Sequence, residues 1–166
     1  MAVDGAGDLL IADRGNDAVR EVPVAPGDYY SVPIGANDIA RVAGTGAGYG
    51  PYLTDGLSAT GATAALNFPS GLAVDGRGDL FVAGLYDRAI REVPAASGPS
   101  FGRAVIAGNM YTVAGALPAG ADQDGTRWVR TRVTYPAGLA VGPSGSLYFT
   151  DRGADVVRVI RAVPGP

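Results

Sequence analysis

Catalytic chemistry most often begins with histidine, cysteine or lysine, and this 166-residue chain has none of the three. Its 13 basic residues are all arginine. The commonest general base and metal ligand is therefore missing, as are the thiolate nucleophile and the amine of Schiff bases and phosphate loops. Carboxylate, arginine and aromatic groups remain, and four clusters of them could do something. The first is Arg77-Gly78-Asp79, set between two apolar runs in FPSGLAVDGRGDLFVAG. It reads either as a displayed recognition tripeptide or as turn scaffold. The second, GTGAGYG at 44–50, has a glycine spacing that invites a phosphate-loop reading. Such a loop must open a helix, whereas PYLTDG follows here, so a nucleotide site is disfavoured.

The third cluster, Asp122-Gln123-Asp124-Gly125, alternates carboxylates ahead of a glycine as calcium loops do. No Glu follows at the distance that the twelve-residue ligand set needs, and an Asp-Gly turn matching Asp55-Gly56 is the better reading. No cofactor and no metal site are expected, with a calcium-type ion held by Asp and backbone oxygens left open. The fourth cluster is spread over loops: Tyr49, Tyr52, Arg127, Trp128, Arg130 and Arg132 on long connections, with Arg14 and Arg152 on short ones. Aromatic residues and Arg dominate the energetic centres of interfaces, which makes these the candidate binding-face residues. Alternatively, they pack each loop against its own scaffold. Tyr29 and Tyr30 in APGDYYSVPIGAND lie on another long segment, so the choice of face stays open.

The elements that must position these groups come from a repeat. AVDGAGDLLIADRGNDAVREVP begins at Ala2, AVDGRGDLFVAGLYDRAIREVP 71 residues later at Ala73, and AVGPSGSLYFTDRGADVVRVI a further 67 on at Ala140. RVAG at 41–44 answers TVAG at 112–115, and LNFPSGLAV before the second copy answers VTYPAGLAV before the third. The second unit divides into four β segments at 71–75, 79–84, 89–94 and 110–115. Its runs are apolar at consecutive positions, as strands covered on both faces are. DGAGD, DGRGD and GPSGS join the first two segments as two-residue glycine hairpin turns, with Asp4 and Asp75 as turn-formers and Gly142 in their place in the third unit. Because the Gly-Asp recurs and only Arg77 is new, the tripeptide reads as scaffold. Helical pattern is confined to a turn or two in 58–66.

Hydrophobic residues at 47% and charged ones at 17% describe a folded core, and 26 glycines with 12 prolines suit many tight turns. A net charge of −3 gives no footprint for nucleic acid. No stretch is long and apolar enough to span a membrane, and MAVDGAGDLL lacks the regions of a secretory signal. Four-stranded antiparallel units, repeated and covered on both faces, predict an all-β fold: a β-propeller arc of about three blades, an incomplete ring. The repeat units run approximately over 1–44, 69–115 and 136–166 in a single domain 1–166, with long connections 45–68 and 116–135.

The pattern P-x-G-L-A-V-D-x-x-G-x-L-(Y/F)-V-A-D-x-G-(N)-x-x-(I/V)-R-x-V, followed by the VAG-T-G insert, resembles the NHL repeat in its bacterial form. The resemblance implies that the GLAVD strands line a central channel and the VAG strands lie at the rim. It implies a non-catalytic binding scaffold for a protein or other macromolecule, often outside the cell. Some related propellers are lyases or lactone hydrolases, which would place catalytic or metal ligands mostly in blades beyond these three. The chain departs from the pattern at Gly84, where Asp13 and Asp151 match it, and at Ala18, Ala89 and Val156, where the family often has Arg; Arg20, Arg91 and Arg158 are kept. The first unit begins within its first strand and the third stops after its third, eleven strands where three blades need twelve. Closed propellers have about four to eight blades. The chain is therefore expected to be a piece of a longer propeller with its remaining blades in cis, or else to associate with copies of itself.

Overall fold

The computed structural model of the chain describes residues 1–46, 55–115 and 132–162. The first blade is a four-stranded meander of β1 (Ala2–Val3), β2 (Leu9–Asp13), β3 (Ala18–Val22) and β6 (Ala40–Ala43), ordered β1-β2-β3-β6. Between its third and fourth strands stands a ribbon of β4 (Gly27–Tyr29) and β5 (Val32–Ile34). The second blade repeats the plan with β8 (Pro69–Val74), β9 (Leu80–Gly84), β10 (Ala89–Val93) and β13 (Asn109–Gly115), and a ribbon of β11 (Gly98–Ser100) and β12 (Arg103–Val105). A short β7 (Leu57–Ser58) adds to the outer edge of β13. The third blade shows β14 (Pro136–Val141), β15 (Leu147–Asp151) and β16 (Val156–Ile160). All pairings are antiparallel, and the sheets form an arc of a β-propeller.

Three local expectations are corrected. The ribbons and β7 were not legible as strands, being three residues or fewer per strand. Residues 59–62 form turns rather than a helical turn. The β8–β9 connection is a three-residue loop, not a two-residue turn: the Asp75 N–H donates to Asp79 O at 3.1 Å, and only Gly78 takes a positive φ, +84°. Gly7 and Gly145 repeat that φ in the other blades. This is the loop geometry that needs glycine at its last position alone.

Each blade carries two apolar faces, and alternation along the strands assigns them. Leu80, Val82 and Val93 face back to blade one, where they join Leu10, Val19 and Val42 in one buried cluster. Phe81, Ala83 and Ile90 face forward and join Leu147, Phe149 and Ile160 of blade three in another. At the forward-facing positions Leu10, Phe81 and Tyr148 correspond, with exposures of 0%, 1% and 44%. Val19, Ile90 and Val157 correspond likewise, at 0%, 0% and 70%. The residue types are apolar in all three copies, so the difference is the presence of a following blade.

The first strands of neighbouring blades approach most closely. Ser70 Oγ on β8 donates to Pro136 O on β14 at 2.9 Å, and a Cβ added at Gly71 would overlap the Ala137 carbonyl oxygen. The glycine of the P-x-G-L signature thus lets two blades meet backbone to backbone. Forward faces also bury one carboxylate each in the first two blades. Glu92 accepts from the Ser100 hydroxyl and from Arg103 at 3.3 Å, although burial still raises its carboxyl. The corresponding Glu21 has Tyr29 and Val32 where blade two has Ser100 and Arg103. One Glu21 oxygen finds no hydrogen-bond partner among the described residues. Burial first, then the Asp8 and Asp4 carboxylates, push the Glu21 carboxyl up to about 7.

Gly71→Ala is expected to cost about 3 kcal/mol in chemical denaturation, because the blade seam must open to admit a methyl group. Gly76→Ala, with no atom within 4 Å of the added Cβ, is expected to change stability by less than about 0.5 kcal/mol. Equal effects would remove the close seam. Glu21 releases its proton near 4.5 when unfolded and near 7 when folded. The folded state therefore binds the extra proton, and the stability Glu21 contributes is full below the lower value and lost as pH rises through the upper one. The loss is of the order of 3 kcal/mol. Glu21→Gln is expected to flatten that window in urea melts and to be more stable than the parent above pH 8; an unchanged slope refutes the assignment.

Candidate functional site

Strand register places the connections after second and fourth strands at one end of the blades. Ala18 opens β3 opposite Asp13 at the close of β2, and Val19 pairs with Ala43 at the close of β6. The turn residues Asp17, Arg88 and Asp155 all adopt left-handed φ, at +48°, +54° and +54°. Gly44 and Gly115, at +88° and +86°, pass so close to the Asp17 and Arg88 carbonyls that a Cβ would overlap them. The VAG glycine is therefore a steric requirement of this end.

Of the predicted binding-face residues, Arg14, Arg132 and Arg152 are described, and all three are exposed. Tyr49, Tyr52, Arg127, Trp128 and Arg130 lie outside the described residues, as do Gly48, Gly50 and the Asp122–Gly125 cluster. The Arg14 guanidinium sits 4.9 Å from the centroid of the Phe68 ring, across the seam between blades one and two. Phe68 in turn meets the exposed Tyr86 at 5.2 Å between ring centroids, inclined at 43°. Phe68 and Tyr86 were not singled out in the sequence, where they lie far from Arg14; only the fold brings the three together. Arg152 is fixed through its backbone, donating to Tyr135 O at 3.0 Å.

Carboxylates beneath this surface hold the loops in place. Asp13 pairs with Arg20 at 2.6 Å and accepts from the Asn16 amide at 2.9 Å, which together hold its carboxyl below the ordinary value. Asp151 pairs with Arg158 at 3.2 Å and accepts the Thr134 and Tyr135 backbone N–H groups at 3.1 and 3.0 Å. Blade two has Gly84 at that position, and Asp87 compensates. Its carboxylate occupies the space a Gly84 side chain would fill and accepts from Asn67 N at 2.9 Å. Burial pushes the Asp87 carboxyl up to about 6, against the Asn67 hydrogen bond and Arg91. Arg91, buried, pairs instead with Asp55 at 3.4 Å. Asp55 also accepts the Thr112 N–H and hydroxyl at 2.8 Å each, so the Asp55-Gly56 turn is a polar anchor for β13.

At the opposite end, Arg77-Gly78-Asp79 is scaffold. Asp75 Oδ1 accepts the Arg77 and Asp79 N–H groups at 2.9 Å each, and the Arg77 guanidinium is bound to Asp79 and to Pro99 O at 2.9 Å. Asp79 is buried and accepts Ala95 N at 3.0 Å. Asp8 makes the same bond to Val24 N at 2.8 Å, and Ser146 to Ala162 N at 3.3 Å. Every copy thus latches its first hairpin to the chain leaving its third strand. Among the described residues no three His, Cys, Asp or Glu side chains are placed to hold a metal ion, and no helix is long and apolar enough to cross a membrane.

No protein-family model matches the chain, and no curated protein matches it in sequence. Solved structures do match. A protein of unknown function from Bacteroides thetaiotaomicron VPI-5482 superposes with a TM-score of 0.68 at 15% identity, over 95% of this chain and 33% of the other. An auxiliary nutrient binding protein from the same strain gives 0.56 at 17% identity, over 96% and 38%. A streptogramin B lyase gives 0.50 at 14%, over 96% and 39%. At these identities the likeness concerns the fold, and the chain spans between a third and two-fifths of the propellers it matches.

Proposed function

We propose that the chain is an NHL-type segment of a larger propeller that serves as a non-catalytic interaction scaffold, engaging a protein or other macromolecule through the loop end of its blades. The observation that carries this reading is the Arg14–Phe68–Tyr86 cluster, which crosses a blade seam and presents a cation and aromatic surface. Rings and guanidinium groups of this kind supply most of the energy at protein interfaces. The nutrient-binding relative supports a binding role, and the streptogramin B lyase keeps a catalytic parent as the rival outcome. Further blades, in cis or from a second copy, cover the forward face of blade three. Tyr148, Val157 and Val159 form its apolar surface.

In affinity capture with the complete ring as bait, Arg14→Ala and Tyr86→Ala are each expected to weaken the partner by about tenfold or more. Asp28→Ala, on the β4 ribbon, serves as the control and is expected to leave affinity unchanged. Turnover of streptogramin B without a stoichiometric macromolecular partner would transfer the parent to the enzymes. In sedimentation, the isolated chain is expected to self-associate with rising concentration, and Tyr148→Glu with Val157→Glu to shift it toward monomer. A monodisperse, cooperatively melting wild-type monomer contradicts the covered face.

A further inference from the structure

The two blade seams differ at their hairpin end. In the ribbon of blade one, Tyr30 takes a left-handed φ of +51° and is buried in the seam between blades one and two. Its hydroxyl donates to Gly78 O, in the β8–β9 loop, at 2.9 Å. That φ, with +65° at Ser31, belongs to the two-residue turn that joins β4 to β5, and the turn carries the phenol into the seam. The corresponding residue of blade two is Phe101, with a φ of +42°, and the residue corresponding to Gly78 is Gly145 of the β14–β15 loop. Phe101 stands edge-on to Phe81, 5.8 Å between centroids and 86° between planes. It has no hydroxyl to give, and among the described residues no hydrogen bond is made to the Gly145 carbonyl.

Where the first seam is plugged, the second holds a cleft of about 630 Å³. Phe101, Val74, Val141 and Gly145 supply its apolar and backbone walls, with Arg77 and Asp75 at one side. That volume lies in the range of small-molecule sites. Arg77 is already engaged by Asp79, by Pro99 O and by Asp75 at 3.7 Å, so the charged side of the cleft offers no unspent positive charge to an anion. We propose that this cleft is a binding site for a small neutral phenol. Its ring lies against Phe101 and the two valines, and its hydroxyl donates to the Gly145 carbonyl as Tyr30 donates to Gly78. The site is at the end of the blades away from Arg14 and Tyr86, and it does not depend on the loop end having a partner.

The test uses the chain as it stands, with p-cresol, toluene and benzoate as probes and backbone amide shifts as the readout. Saturable shifts at Phe101, Gly142 and Gly145 are expected with p-cresol, at an affinity roughly tenfold above that of toluene, which lacks the donor, and with no binding of benzoate. Phe101→Tyr, which supplies the hydroxyl from the chain itself, is expected to lower p-cresol affinity at least roughly tenfold. Val141→Phe, narrowing the cleft from the blade-three side, is expected to do the same and stands in should the first variant lose its dispersed spectrum. Toluene binding as tightly as p-cresol, shifts confined to other residues, no saturation at several millimolar, or unchanged binding in both variants would each overturn the proposal.

Discussion

Burial of one blade's face by the next is the interaction on which everything else in this chain rests. A four-stranded sheet with apolar residues pointing both ways cannot satisfy itself, because each side chain of the Leu, Val or Phe kind left in water forfeits about 1.5–3 kcal/mol. Folded domains hold only about 5–15 kcal/mol in total. Blade two has neighbours on both sides, and every residue of β9 and β10 is buried. Blade three has a neighbour on one side only, and β15 alternates between buried and exposed. Repeat proteins behave as one-dimensional stacks for this reason: stability resides in the seams as much as in the units.

Within that constraint the polar groups fix geometry. Left-handed Asp17, Arg88 and Asp155 turn the chain into each third strand, and Asp8, Asp79 and Ser146 tie each first hairpin to the chain 16 residues on. The Gly84–Asp87 exchange shows that blades two and three keep a carboxylate in a given space, accepting backbone N–H from the segment that enters the first strand, and not a residue at a given position. Differences between copies are then informative in a way that identities are not. Tyr30 against Phe101 changes what fills a seam, and Ser100 with Arg103 against Tyr29 with Val32 changes which buried Glu has side-chain partners.

The long apolar strands and their order were legible because LLIA, LFVA and LYFT recur in register, and self-comparison needs no structure. The scaffold role of Arg77-Gly78-Asp79 was legible for the same reason. Ribbons such as 98–105 were not, since three-residue strands carry no periodicity to count. The loop-end cluster was legible only in part: Arg14 was singled out, but Phe68 belongs to the next blade and reaches it through the seam. Asp55 looked like turn chemistry and proved to bind Thr112 and Arg91 as well, a role set by residues 36 and 57 positions away in sequence.

Amide hydrogen exchange on a dilute sample tests the dependence of each blade on its neighbours most directly, because it reads local opening strand by strand. The account predicts the strongest protection in β9 and β10, covered from both sides, and the weakest in β16, whose forward residues stand in water. Protection of β16 equal to that of β10 in a monomeric sample would contradict it, for blade three would then be stable without a blade to follow it.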